Sequence, residues 1–159
     1  MKTVTSWLLA LILPFSIAGT LHAGEFVEGK QDVALSNPQP TSTPDKVEVV
    51  ELFWYGCPHC YELEPFISDW LAGKPEDVEF VRMPAILGKG WELLAKAYYT
   101  AELLNVMDKV HPALFHAMHK ERQKFKSEAD VQALFSNQGV SSDDFKKTFN
   151  SFAVAVKIN

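Results

Sequence analysis

The stretch Val47-Glu48-Val49-Val50-Glu51-Leu52-Phe53-Trp54-Tyr55 runs directly into Gly56-Cys57-Pro58-His59-Cys60-Tyr61, and this junction decides the fold. Residues 47–55 are β-branched and aromatic, bounded by Pro44 before and Gly56 after, which predicts a strand covered on both faces. Gly56 permits a sharp turn. From Pro58 to about Ala72 the apolar residues Tyr61, Leu63, Phe66, Ile67, Trp70 and Leu71 recur mostly at helical spacing. Pro58 suits the first turn, where its missing N–H costs nothing, while Pro65 falls inside the helix and should kink it. Gly73 and Pro75 end the element, and Val78-Glu79-Phe80-Val81-Arg82-Met83 alternates as a second strand stopped by Pro84. Both cysteines therefore open a helix straight after a strand.

Outward from this core the chain changes character. Residues 91–106, 112–120, 129–137 and 143–156 carry four helical patterns, with Gly139 and Ser141-Ser142-Asp143 between the last two and Ser141 or Ser142 placed to cap the final helix. The result is an all-helical block on a βαβ-like start. On the other side, residues 24–46 are rich in Pro, Ser, Thr and Gly and read as an extended lead-in, with a short edge strand around Phe26. Residues 1–23 have Lys2 near the start, an apolar run from Trp7 to Ala18, and Leu21-His22-Ala23 before Gly24, the pattern of a secretory signal peptide cleaved after about Ala23. Pro14 interrupts that run, which falls short of the roughly 20 residues needed to span a bilayer.

Of the 159 residues, 47% are hydrophobic and 22% charged, a composition that suits one globular domain. The formal net charge of -5 argues against capture of phosphate backbones, so nucleic acid is not an expected partner. An exported chain sits where disulfides persist, yet this one has only 2 Cys, three positions apart. A bridge between them would close a very short loop and constrain the unfolded chain little, so the pair reads as reactive.

Two thiols at i and i+3 at a helix start share a face and can close a disulfide. Cys57 sits at the open N–H groups and the positive end of the helix dipole, a field that favours its thiolate. His59, when protonated, adds positive charge beside the same sulfur, so the Cys57 pKa should fall below the usual value of about 8.5. A stabilised thiolate means a stabilised reduced form and an oxidising disulfide. Cys60, one turn deeper, reads as the buried resolving partner. A zinc site needs about four ligands, and His111, His116 and His119 have no second cysteine pair to complete one; His116 and His119 read as surface or packing residues. No metal or cofactor is expected.

Phe53-Trp54-Tyr55-Gly56-Cys57-Pro58-His59-Cys60-Tyr61 resembles the active-site segment of the DsbA family, bacterial periplasmic disulfide oxidases with a thioredoxin fold and an inserted helical domain. The likeness runs from about Phe26 to Phe152 and includes Asn150-Ser151-Phe152 and the helical stretch before it. It implies an α/β, thioredoxin-like fold: residues 24–87 would be the N-terminal part of that domain, and residues 88–159 the inserted helical domain and the start of a return helix. It also implies a monomer in the periplasm that donates a disulfide to reduced, newly exported proteins and is reoxidised by a quinone-linked membrane partner of the DsbB type. The depressed cysteine pKa is a property for which this family is itself the usual example. Within the redox motif, Pro58 and His59 are the residues that tune potential.

Glu51 is, with Glu48, one of two charges in the strand and lies six residues before Cys57, and Glu64, at i+4 from Cys60, falls on the helix face of both cysteines. In the family, acidic residues at these positions lie beneath the active site, where a carboxylate can take or return the Cys60 proton. Arg82 on the second strand resembles the family's basic residue there, a possible counter-charge.

One departure is expected to matter. Thioredoxin-like proteins set a cis-proline against the cysteine pair at the start of a later strand, and neither Pro84 nor Pro112 matches that position. The chain should lack the last strands and closing helix, which leaves an exposed sheet edge and an uncovered face. On this reading it is a fragment or an unusual variant, weakly folded, with thiol exchange at Cys57 but poor oxidation of protein substrates. The alternatives to a disulfide oxidase are an isomerase or reductase, or an inactive peptide-binding remnant.

Overall fold

In the computed structural model, residues 27 and 29–158 are described; the signal peptide and the Phe26 strand expected above lie outside them. Contacts divide the chain into two units, Met1–Pro40 and Thr41–Asn159. In the first, the described residues form a turn in which Gly29, at φ 81°, donates its N–H to Asp32 Oδ1 at 2.7 Å.

Among the described residues, every regular element lies in the second unit. Strand β1 (Val47–Phe53) leads through the cysteine turn into helix α1 (Pro58–Ala72), which returns to strand β2 (Val78–Pro84). The strands pair in parallel with Glu51 opposite Arg82 and Phe53 opposite Pro84. Five helices follow: α2 (Glu92–Leu103), α3 (Met107–His119), α4 (Glu128–Asn137), α5 (Ser142–Phe149) and α6 (Phe152–Lys157).

The α1 boundaries agree with the sequence reading, but three other expectations need correction. First, β1 is not covered on both faces. Among the described residues the sheet has two strands, and of β1 only Phe53 is buried, while Val47 and Leu52 are 61% and 62% exposed. The helical block reaches the carboxyl end of the sheet and no further. Second, α3 begins at Met107, so Pro112 sits within the helix and removes only the N–H that Asp108 would have received. Third, the final helical pattern is two helices. Ser151 takes the Val154 N–H on its side chain at 3.3 Å and restarts the chain as an N-cap, a local hydrogen bond that competes with helix continuation. Ser141, rather than Ser142, caps α5 by accepting from Asp144 N at 3.1 Å.

The core lies inside the helical block and against the end of β1. Val110, Leu114 and Phe115 from α3 meet Ala97 and Ala101 from α2, Val131 and Phe135 from α4, and Phe145 and Phe149 from α5. Ala97 and Ala101 are one turn apart, and their small side chains let neighbouring helices approach α2. Phe53 and Tyr55 insert into the same cluster, so the chain just before the cysteines is anchored by burial.

Phe115 is the hinge between core and redox turn, with ring centroids 6.0 Å from Phe53, 4.9 Å from Tyr55 and 5.9 Å from Tyr61. Truncation to alanine removes a fully buried ring, so Phe115→Ala should lower stability by about 3–5 kcal/mol in urea unfolding. A loss below about 1 kcal/mol would mean the site does not lean on this ring.

Candidate active site

Trp54, Tyr55 and Gly56 form the turn between β1 and α1. The Trp54 indole stacks on Trp91 at 4.1 Å with an interplanar angle of 5°. A Cβ on Gly56 would collide with the Trp54 ring, which is why the turn takes glycine here. Cys57 N–H donates to Trp54 carbonyl at 2.9 Å, and Cys57 carbonyl accepts from Tyr61 N at 3.2 Å. Cys57 is therefore the N-cap residue of α1, with φ -86° and ψ 117°, and Pro58 is the first helical residue.

Both cysteines are free thiols and half-buried. Their environments differ in direction. The Cys60 backbone N–H, then the Cys60 thiol and the His59 backbone N–H, hold the Cys57 thiol below its usual pKa, against burial and the Glu62 charge. Burial pushes the Cys60 thiol up, helped by the Cys57 sulfur and the Glu51 charge. The open N–H groups of a helix start thus act on the first sulfur and not the second. His59 contributes its main chain; its imidazole is 91% exposed and lies 3.7 Å from Glu62.

Beneath the pair, Arg82 joins the two expected carboxylates. Its Nε donates to Glu51 Oε2 at 2.8 Å, and its Nη2 donates to Glu64 Oε1 and Oε2 at 3.0 and 2.9 Å. The parallel register makes this possible, because Glu51 and Arg82 are direct partners across β1 and β2. Arg82 is therefore a bridging cation and not a surface charge. One buried oxygen, Glu51 Oε1, has no hydrogen-bond partner.

Several side chains at the site were missed by sequence reasoning. His111 is buried, with Nδ1 2.8 Å from Tyr55 Oη and Nε2 3.2 Å from Glu64 Oε1. The signal for it was a histidine on the apolar stripe Met107, Val110, Leu114, Phe115 of α3. His119 donates from Nε2 to the Tyr55 carbonyl at 2.8 Å and stacks on Tyr61 at 4.9 Å, so it pins the redox turn to α3. His116 lies at the surface near Glu121. Tyr98 donates to the Arg82 carbonyl at 3.2 Å, and burial pushes its hydroxyl up to about 12. A cleft of about 570 Å³ opens beside this cluster, lined in part by Tyr61, Glu64, Pro65, Arg82, Met107 and His111.

The DSBA-like thioredoxin domain matches residues 71–159. The thiol:disulfide interchange protein DsbA of Pseudomonas syringae pv. tomato is 43% identical over 150 residues, covering 94% of this chain and 70% of the relative. The chain belongs to the DsbA family. Its activity class is thiol-disulfide exchange, and its fold is thioredoxin-like. The crystal structure of Pseudomonas aeruginosa DsbA is similar at TM-score 0.74 and 44% identity, over 79% of this chain and 66% of that one. A Proteus mirabilis DsbA holding the non-covalently bound peptide PWATCDS is similar at TM-score 0.67 and 33% identity, over 84% of this chain and 71% of that one.

The two thiols should separate kinetically. A depressed Cys57 pKa keeps thiolate present at pH values where an ordinary thiol, near about 8.5, is protonated. Alkylation of the reduced chain at pH 5 should therefore modify Cys57 well before Cys60, read by peptide mass analysis. Faster labelling of Cys60 would reverse the assignment.

Proposed function

We propose that the oxidised chain donates its Cys57–Cys60 disulfide to the cysteine thiols of newly exported proteins. The observation that carries this reading is the opposite direction of the two thiol shifts, down at Cys57 and up at Cys60. A substrate thiolate attacks Cys57 Sγ; the Cys57–Cys60 bond breaks, a mixed disulfide forms, and Cys60 leaves with the electron pair. A second substrate thiolate then attacks the substrate sulfur of the mixed disulfide and expels Cys57 as thiolate. The substrate gains one disulfide, and its two electrons remain on the reduced pair.

Stabilising the expelled thiolate favours this direction, since a low-pKa thiol leaves readily. Cys60, with its raised pKa, takes a proton as it leaves, and Glu51 Oε1 is the buried acceptor without a partner that can hold that proton when the reaction runs backwards. Glu64 acts with Arg82 to balance charge. Pro58 fixes the first turn of α1, and the His59 backbone N–H faces the Cys57 sulfur.

The signal-peptide reading of residues 1–23, with cleavage after about Ala23, supports a periplasmic protein, where reduced exported chains are the available thiols. The peptide carried by the Proteus mirabilis relative contains one cysteine, which fits a peptide-thiol substrate. The reduced pair is then reoxidised by a quinone-linked membrane protein of the DsbB type, with the chain acting as a monomer. Residues 24–87 supply the redox part and residues 88–159 the helical domain that supports it.

Oxidation of a reduced test protein by the disulfide form checks this directly. Disulfide appearance in the test protein should match loss of the Cys57–Cys60 bridge, and Cys57→Ser should abolish it. His59→Ala should leave the reaction running with a modestly less oxidising potential, because the imidazole is exposed while the backbone N–H stays. An oxidised chain that leaves the reduced protein untouched would refute donation.

A further inference from the structure

His111 has no part in the exchange steps above, yet it is 4% exposed and packed against the charged cluster. Its two neighbours fix its tautomer. Tyr55 is enclosed, and burial raises its hydroxyl pKa well above the usual phenol value, so it remains a protonated donor. Tyr55 Oη lies 2.8 Å from His111 Nδ1, so the hydroxyl donates to Nδ1 and the ring hydrogen sits on Nε2. Glu64 Oε1, 3.2 Å from Nε2, can only accept. The approach is not aligned as a full hydrogen bond, which leaves Nε2–H a buried donor within reach of one carboxylate.

The ring cannot easily turn away. Phe53 and Phe115 pack edge-on against it at 5.3 and 5.1 Å. The titratable and charged groups around it are Tyr55 after β1, Glu64 on α1, Glu51 and Arg82 on the strands behind Glu64, and Tyr98 on α2 at 6.2 Å between ring centroids. Asp108 lines the adjoining cleft.

Arg82 is shared unequally between two carboxylates, with Nη2 on both oxygens of Glu64 and only Nε on Glu51. A guanidinium favours a bidentate fork on one carboxylate, so Glu51 and Glu64 compete for Nη2. His111 Nε2 lies on the Glu64 side of that competition, 3.2 Å from Glu64 Oε1. We propose that His111 is a positioning residue for thiol exchange: its Nε2–H holds Glu64 against Arg82, so that Glu51 Oε1 is the carboxylate oxygen left open to the Cys60 proton. Without that donor, Nη2 turns to Glu51 Oε1 and closes the acceptor. This rests on the reading of Glu51 as proton acceptor.

The test isolates the Cys60 step in the full chain. Cys57 is loaded with a chromogenic aromatic thiol as a mixed disulfide, and release of the reporter is followed against pH. In that step Cys60 sulfur bonds to Cys57 sulfur, the Cys57–reporter bond breaks, the reporter leaves as thiolate, and the Cys60 proton passes to Glu51. Burial is the main cause of the raised Cys60 pKa and the Glu51 charge adds to it; Glu51→Gln removes that addition, so the pH midpoint of release should fall and the plateau rate should drop. His111→Ala should shift the midpoint the same way, by pairing Glu51 more fully with Arg82. His111→Gln, which keeps an N–H donor, should return the midpoint most of the way to wild type. Tyr55→Phe, which frees the tautomer, should fall between.

A folded His111→Ala chain with the wild-type midpoint, while Glu51→Gln is shifted, overturns the role of His111 alone. An unshifted Glu51→Gln overturns the Glu51 reading and this proposal with it. If His111→Gln behaves as His111→Ala, the donor is not the cause and the proposal fails. Should His111→Ala not fold, Tyr55→Phe decides: a wild-type midpoint there overturns the proposal, and a lowered one supports it.

Discussion

The open N–H groups at the start of α1 are the constraint on which this site depends. A helix leaves its first N–H groups without intrahelical partners, and here those of His59 and Cys60 face the Cys57 sulfur. Pro58 at the first helical position has no N–H to add, but it fixes the backbone so that the next two donors are placed. The cap residue offers no side-chain oxygen to satisfy them. The thiolate itself is therefore the cap, and folding of the helix and charging of Cys57 support each other.

That arrangement has to be held from outside, since the turn contains only Trp54, Tyr55 and Gly56. Phe53 and Tyr55 bury themselves in the helical core, His119 holds the Tyr55 carbonyl, and Trp54 lies flat on Trp91. Below, two carboxylates and one guanidinium sit largely out of water, an arrangement that costs free energy unless the charges are paired with good geometry. Arg82 supplies that pairing from β2, and Tyr98 ties its main chain to α2. Strand pairing, helical packing and thiol chemistry thus meet at Glu51, Arg82 and Glu64.

Much of this was legible in the residues. The strand, glycine turn and Pro58 marked the α1 start, and Glu51 and Glu64 stood at positions where the resemblance placed acidic residues. Other features were not legible because they depend on which surfaces meet. Nothing in the spacing of residues 107–119 says that His111 faces Tyr55 and Glu64, which are 56 and 47 positions away in the chain. Residues 47–55 by themselves read as a strand covered on both faces, since an apolar strand looks alike whether one end or its whole length is packed; the uncovered face was legible only from the later strands expected to be missing. The break at Ser151 was masked by apolar residues on both sides that continue a helical pattern.

Urea unfolding of the reduced and disulfide forms across pH tests the central claim most directly. Cys57 has a depressed pKa in the fold, so its thiolate contributes stability to the reduced form that is full above the ordinary thiol value of about 8.5. That contribution declines as pH falls and is lost below the folded-state pKa. The reduced form should be the more stable of the two at neutral pH, with the advantage disappearing in acid and partly offset above about 8.5, where the raised pKa of Cys60 works against the folded reduced form. A disulfide form that is the more stable at every pH would show an ordinary structural bridge and contradict it.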